Sequence, residues 1–203
     1  MSIIKQGKRQ KKMENEKEAR VLEATKRVFL HYGYRRVTMQ DIADEAGISR
    51  PALYLIFPNK EEAFLAAIRD FTASSMKIIE EGLTQQSTVE AKLQFAFKVW
   101  TVKPFELMLE SPDAKDLIEC GHGFAKATFD QIYSDFEAVI VDILTPLASR
   151  SRKSSAKGSQ LTAAQIAHLI VAATHGFKES ADSVAELREM ISSLISLTLA
   201  AMR

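Results

Sequence analysis

Residues 38–57 constrain this chain more than any other stretch. They read Thr-Met-Gln-Asp-Ile-Ala-Asp-Glu-Ala-Gly-Ile-Ser-Arg-Pro-Ala-Leu-Tyr-Leu-Ile-Phe. Thr38 followed by Asp41 has the form of a capping box, in which a hydroxyl and a carboxylate satisfy the free N–H groups of a helix start. Ile42, Ala43 and Ala46 give the short helix that follows an apolar face, and Gly47 breaks it. Ser49 caps a third helix, with Pro51 in its first turn, where a missing N–H costs no intrahelical bond. Ala43 and Gly47 are small where two helices must approach, and Ile42, Ile48 and Leu53 form the wedge between them. Two short helices joined by a tight turn, over about 39–57, make a helix-turn-helix. Its second helix is of a size to enter a DNA major groove about 12 Å wide.

The rest of the chain keeps a helical period. Before the motif, Val21, Thr25, Val28, Phe29 and Tyr32 fall on one helix face, and Gly33 ends that helix. After it, Asn59 and Glu62 open a long helix carrying Phe64, Ile68, Phe71, Ile78 and Ile79. Ser87 and Glu90 open another with Leu93, Phe97 and Trp100. Pro104 begins or kinks a short helix, and Ser111 with Pro112 opens one more. A long helix from about Gly123 buries Phe129, Ile132, Tyr133, Phe136, Val139, Ile143 and Leu147, and Pro146 ends or kinks it. Residues 149–160 carry nothing apolar larger than Ala and read as a loop. Thr162 and Ser183 open the last two helices. No alternation of period two competes. Glycine and proline are scarce, 8 and 5 in 203 residues, which also disfavours a turn-rich β fold. The expected fold is all-α, about nine helices: a flexible basic arm over 1–15, a three-helix head over 16–62, and a larger helical domain over 63–203.

Charge separates these parts. The formal net charge is only +1. Residues 1–60 nevertheless hold 13 basic and 7 acidic side chains, and residues 61–203 hold 14 basic and 19 acidic. A positive head on an acidic body points to a polyanion contact confined to the head. The single cysteine, Cys120, excludes an intrachain disulfide framework and fits a reducing compartment. No secretory signal or membrane-length apolar run is present, so a cytoplasmic location without membrane contact is expected.

Within the motif, Arg50 is placed to meet a guanine edge or a phosphate, and Tyr54 offers a hydroxyl for phosphate and a ring for a thymine methyl. Lys60 opens the next helix, and Arg35 and Arg36 precede the first. The run from Arg20 to Phe64 resembles the DNA-binding domain of the TetR family of bacterial transcriptional regulators. The resemblance is carried by Val21-Leu22-Glu23-Ala24, Phe29 and Tyr32-Gly33-Tyr34. It continues through Thr38 to Ala43, Ala46 to Ser49, Leu53-Tyr54, Phe57 and Lys60 to Glu62. It implies a homodimer that binds a double-stranded operator, with a C-terminal domain that takes a small-molecule inducer. It also implies that Thr38, Gln40, Ser49, Arg50, Pro51, Ala52, Tyr54 and Lys60 face DNA, with Arg35 and Arg36 beside them. Leu55-Ile56 departs from the family, where many members carry basic or polar side chains.

Candidate inducer contacts are Phe97, Trp100, Phe105, Met108, Phe129, Tyr133, His175 and Glu179, since ligand sites are mostly apolar with a few polar groups. Aromatics at helical spacing are equally the material of a plain core. The last helix carries an apolar stripe too wide for one contact within the chain. The resemblance implies pairing through the last two helices, so Ile166, Ile170, Phe177, Val184, Leu187, Ile191, Leu194, Ile195 and Thr198 are the candidate dimer interface. No catalytic set, metal site or cofactor is expected: Cys120 and His122 bring only two ligand types together, and no paired carboxylates or phosphate loop occur. The resulting expectation is a repressor, released from a palindromic operator by a small, largely apolar inducer. The rivals are a helical small-molecule enzyme and a protein-interaction module, each with a vestigial helix-turn-helix.

Overall fold

The computed structural model describes the backbone of residues 2–111, 116–120, 123–154 and 161–202. Side chains are described from residue 16 onward, except at 118, 119 and 149–154. Every regular element among these residues is helical: α1 (Ser2–Arg36), α2 (Met39–Ala46), α3 (Arg50–Tyr54), α4 (Lys60–Leu83), α5 (Val89–Phe97), α6 (Lys103–Leu109), α7 (Asp116–Cys120), α8 (Lys126–Ser154), α9 (Ala163–Ser180) and α10 (Val184–Ala201). A π-helical turn, Lys98–Val102, joins α5 to α6 without a break. Proline has no N–H to give and its ring crowds the preceding turn, and one widened turn before Pro104 absorbs both effects. None of the described helices is long and apolar enough to cross a membrane.

Local signals set most boundaries. The Thr38 hydroxyl accepts from the Asp41 N–H while the Asp41 carboxylate accepts from the Thr38 N–H, closing the expected capping box. Thr162 and Gln165 close another at the start of α9. Ser49 and Ser183 cap α3 and α10 as expected, whereas α5 is capped by Thr88, whose hydroxyl accepts from the Ala91 N–H, rather than by Ser87.

Three expectations are revised. Backbone over 2–15 is helical, where the sequence suggests a flexible arm. Helix α8 runs through Pro146 to Ser154, so the proline neither ends it nor leaves 149–154 as loop. Tyr32, assigned to the buried face of α1, is 45% exposed, and its ring stands edge-on to His31. Residues 112–115, with the Pro112 helix start, lie outside the described residues, as do His122 and residues 155–160.

The chain divides into two compact units: residues 1–71 with 108–128, and residues 72–107 with 129–203. This differs from a boundary at 62/63. The first half of α4 belongs to the head, and so does a segment some forty residues further on. In the first unit, Val21, Ala24 and Phe29 of α1, Ile42 and Ala43 of α2, Leu53 of α3 and Phe64 of α4 are almost wholly buried. Phe64 packs edge-on to Phe29 (5.2 Å between ring centroids) and to Tyr34 (5.1 Å). Phe124 closes this aromatic cluster, 5.0 Å from Tyr34 and 5.8 Å from Phe64. Burying Phe29 and Phe64 contributes about 1.5–3 kcal/mol each, and Phe124, still 39% exposed, covers them from the distant segment.

In the second unit, α10 packs on α5, on the π turn and on α9, and α9 also meets the π turn. Helix α8 joins through its rings: Phe136 stacks on Trp100 at 4.5 Å and meets Phe97 edge-on at 5.4 Å. Leu93, Phe97, Phe136, Ile140, Leu144, Leu187 and Ile195 are the most deeply buried side chains of this core.

Candidate functional site

Helix α2 ends at Gly47, whose backbone is left-handed (φ 65°, ψ 37°). The Gly47 N–H donates to the carbonyls of Ala43 and Asp44, and the Ile48 N–H returns to Ala43 at 3.0 Å. Only a residue without a side-chain penalty takes this conformation cheaply, and it reverses the chain within two residues. Helix α3 then starts at once, because the Ser49 hydroxyl accepts from the Ala52 N–H. Ile42, Ala43 and Leu53, none of them measurably exposed, lock the two helices together.

The opposite side of this motif is polar and open. Arg35, Arg36, Thr38, Gln40, Ser49, Arg50, Pro51 and Tyr54 are all exposed, and Ala52 is half-buried. The Arg50 guanidinium donates to the Tyr54 hydroxyl at 3.2 Å and lies 5.6 Å from the centre of its ring. Gln40 donates to the Asp44 carboxylate at 2.7 Å. Hydrogen bonds from the Thr38 hydroxyl and then its N–H hold the Asp41 carboxyl below the usual carboxylate range. Leu55, at the end of α3, is 89% exposed, standing outward where the sequence departs from the family pattern.

Lys60 is placed differently from the sequence expectation. Its ammonium turns inward, donating to the carbonyl oxygens of Tyr34 (3.0 Å) and Arg35 (3.5 Å) and lying 4.3 Å from the Tyr34 ring centre. Tyr34 and Arg35 lie just past the break at Gly33, in a short turn whose carbonyls no continuing helix satisfies, and the ammonium supplies the hydrogen bonds. Lys60 therefore reads as a cap for α1 rather than a group held out toward DNA. The same turn is gripped on its N–H side: the Asp116 carboxylate accepts from the N–H groups of Tyr34 and Arg35, both at 2.7 Å. Ser111 adds a hydrogen bond to the His31 carbonyl at 2.5 Å. Burial, with the nearby Glu61 carboxylate and Cys120 thiol, pushes the Tyr34 phenol up to about 12.

The candidate ligand residues fall into groups. Phe97 and Trp100 meet through Phe136, and Phe105 is buried in the same unit. Phe129 lies 6.4 Å from Tyr133, and Tyr133 stacks on His175 at 5.4 Å. Met108 falls in the first unit and Glu179 is exposed, so neither joins these groups. The residue missed is Lys178. Ala167, Ile170, Val171 and Thr174 form the buried stripe of α9, and Lys178 occupies its next register position. Its ammonium lies 5.9 Å from the Tyr133 ring centre. Burial, opposed only in part by Glu179, pushes its pKa down to about 8. The signal was available in the sequence as a basic residue four places after Thr174 on an apolar register.

The candidate dimer residues are corrected in part. Ile170, Leu187, Ile191, Ile195 and Thr198 are buried within the protomer, and Ile166, Phe177, Val184 and Leu194 are half-buried. The stripe of α10 is wide because much of it covers α5 and the π turn. The large apolar side chains that these two helices expose are instead Leu169 (55%) and Leu197 (69%).

Residues 21–67, which span α1 to the middle of α4, match the family model described as bacterial regulatory proteins, tetR family. The head of this chain is thus similar to the DNA-binding part of that family. An HTH-type transcriptional regulator of Bacillus subtilis, YerO, described as uncharacterized, is 42% identical over 72 residues, 34% of this chain. That match spans a quarter of YerO's length. Beyond the head the likeness is one of fold. A transcriptional regulator from Cytophaga hutchinsonii superposes with a TM-score of 0.66 at 20% identity, covering 89% of this chain and 95% of that one. The regulator FadR from Bacillus subtilis, solved in complex with stearoyl-CoA, gives 0.62 at 17% identity, covering 90% and 98%. The all-α architecture of a helix-turn-helix head and a larger helical domain, which the sequence led one to expect, is thus shared with these regulator structures.

Proposed function

We propose that this chain is a dimeric transcriptional repressor that binds a pseudo-palindromic operator and is released by a small molecule held in its second unit. The observation that carries the reading is the α2–turn–α3 motif. Its inner face is locked by Ile42, Ala43 and Leu53, and its outer face holds Thr38, Gln40, Ser49, Arg50 and Tyr54 in the open. A buried inner face fixes the geometry, and an exposed polar outer face is what phosphates and base edges require. Arg50 and Tyr54 already touch, so they act on DNA as one unit. Leu55 adds an apolar surface suited to thymine methyl groups.

Dimerisation through α9 and α10 is supported by the exposed Leu169 and Leu197. Ala172, Ser193, Ser196 and Ala200 are also exposed, and are small enough to let a second helix approach. Two heads then meet two half-sites a helical turn or more apart. An inducer acts by preferring the conformation in which the heads are wrongly spaced, and a preference of ~1–3 kcal/mol weakens operator binding about 5- to 150-fold.

Gel-shift titration of the full chain with the DNA flanking its own coding sequence, at two salt concentrations, tests the reading. Specific binding that weakens steeply with salt is expected. Binding indifferent to sequence, or none, overturns it.

A further inference from the structure

We infer that the second unit recognises an organic anion, an oxyanion head on an apolar body, and that Lys178 is the residue that binds the head. The inference rests on the proposed regulator and names the chemistry of its ligand.

Lys178 sits where the register of α9 calls for a core side chain, after Ala167, Ile170, Val171 and Thr174. Among the described residues it has neither a carboxylate nor a hydrogen-bond acceptor as partner. Lys178 is half-buried, and a cation drawn partly out of water with only the exposed neighbour Glu179 to offset it is costly, so cores seldom hold one at such a register position. The favourable contact it does make is with the face of Tyr133, 5.9 Å from the ammonium. A ring face at that range offsets only part of what taking a charge out of water costs. Glu179 does not remedy this: it is the next residue on α9, it is exposed, and it shares no ion pair with Lys178. An anion supplied from outside would.

The surroundings suit the rest of such a ligand. Tyr133 stacks on His175, and Phe129 lies beside Tyr133. One turn along α8 from Tyr133, Phe136 stacks on Trp100. Helix α9, which carries Lys178, also meets the π turn that carries Trp100. Tyr133 is the ring that meets the cation, and it is joined by His175 on α9 and Phe129 on α8, in the unit that also holds the Phe136–Trp100 stack. A widened turn beside a binding region is a common use of π geometry. A carboxylate is the simplest head, and a phosphate monoester carries the same chemistry.

The test uses octanoate, with octanol and octylamine as neutral and cationic matches of the same body, and octyl phosphate to separate the two oxyanions. Trp100 is the chain's single tryptophan, so its emission reports binding directly, and calorimetry gives the affinity. Octanoate or octyl phosphate is expected to bind at least ~10-fold more tightly than octanol, and octylamine more weakly still. Lys178→Met should erase the preference for the anion while leaving octanol binding unchanged, and Lys178→Arg should restore it. Wild type that binds octanol as well as both anions, or neither anion up to ~10 mM, overturns the inference, as does Lys178→Met that keeps the preference. The operator gel shift is run on the same preparations. Intact DNA binding with no anion preference removes this inference alone, and loss of specific DNA binding removes the regulator reading.

Discussion

Asp116 and Lys60 hold one main-chain turn from opposite sides: the carboxylate accepts the N–H groups of Tyr34 and Arg35, and the ammonium donates to their carbonyl oxygens. The turn follows Gly33, where φ is 71° and ψ 178°, a conformation open to glycine and strained for other residues. It leads straight into Thr38 and α2. A segment beyond position 100 therefore grips the joint from which the helix-turn-helix is hung. Asp116→Ala removes both acceptors and leaves two N–H groups without their partner. A loss of ~1–3 kcal/mol in urea unfolding is expected, with hydrogen exchange at Tyr34 and Arg35 accelerated far more than at Ile42. Equal protection in the variant and the wild type would show that the turn holds itself.

Lys60 and Arg50 are both basic and close in sequence, yet the structure gives them different work. Arg50→Ala should weaken operator binding, leave thermal stability within about 0.5 kcal/mol, and reduce the salt slope by about one if its partner is a phosphate. Lys60→Met should lower stability through the uncapped carbonyls of α1, and weaken DNA binding with little change in slope. Salt-dependent gel shifts beside thermal melts check both. A reduced slope in Lys60→Met without loss of stability would return that residue to the DNA face.

The dimer face is tested by separating the two halves of the α10 stripe. Leu197→Glu and Leu169→Glu alter exposed positions. They should yield folded monomers in analytical ultracentrifugation, with operator affinity lost through lost avidity. Ile191→Ala and Leu187→Ala instead empty the protomer core, and should cost about 2–5 kcal/mol of unfolding free energy. Dimers that survive both glutamate variants would move the interface elsewhere.

What the sequence made legible was local. Caps announce themselves because a hydroxyl just before a helical run satisfies free N–H groups whatever surrounds it, and Thr38, Ser49, Thr162 and Ser183 all cap helices as expected. The left-handed Gly47 is equally local. Distant pairings were not legible. Nothing in the spacing of Asp116 and Tyr34 foretells a bond across 82 positions. Pro146 misled because a missing N–H is a local cost that packing overrides: Ile140, Ile143 and Leu144 anchor α8 on the near side. The apolar stripe of α10 is readable as a stripe, but only the fold decides which half faces its own chain. Lys178 stood in plain view on the register of α9, and only its placement beside Tyr133, half-buried, distinguishes it from a solvated lysine.

The same lysine makes stability depend on pH in an unusual direction. Its pKa falls from the ordinary 10.5 to about 8 on folding. Between about pH 8 and 10.5 the unfolded chain therefore holds the proton that the folded chain has released. Stability rises with pH wherever the unfolded state binds more protons. The contribution of Lys178 is thus unfavourable below about pH 8 and fades as pH climbs toward 10.5. The Tyr133 phenol that faces it does not cancel this, because burial pushes it upward, and the Glu179 carboxylate, which favours the charged ammonium, opposes the shift only in part. Lys178→Met, which keeps the apolar stem and drops the charge, should be more stable than wild type at about pH 7 by ~1–3 kcal/mol. The gap between the two should narrow as the melts are repeated from about pH 8 to about pH 10. A saturating octanoate concentration should close the same gap near neutral pH, by giving the ammonium a counter-ion. A variant less stable than wild type at every pH would mean that the ammonium is already well solvated.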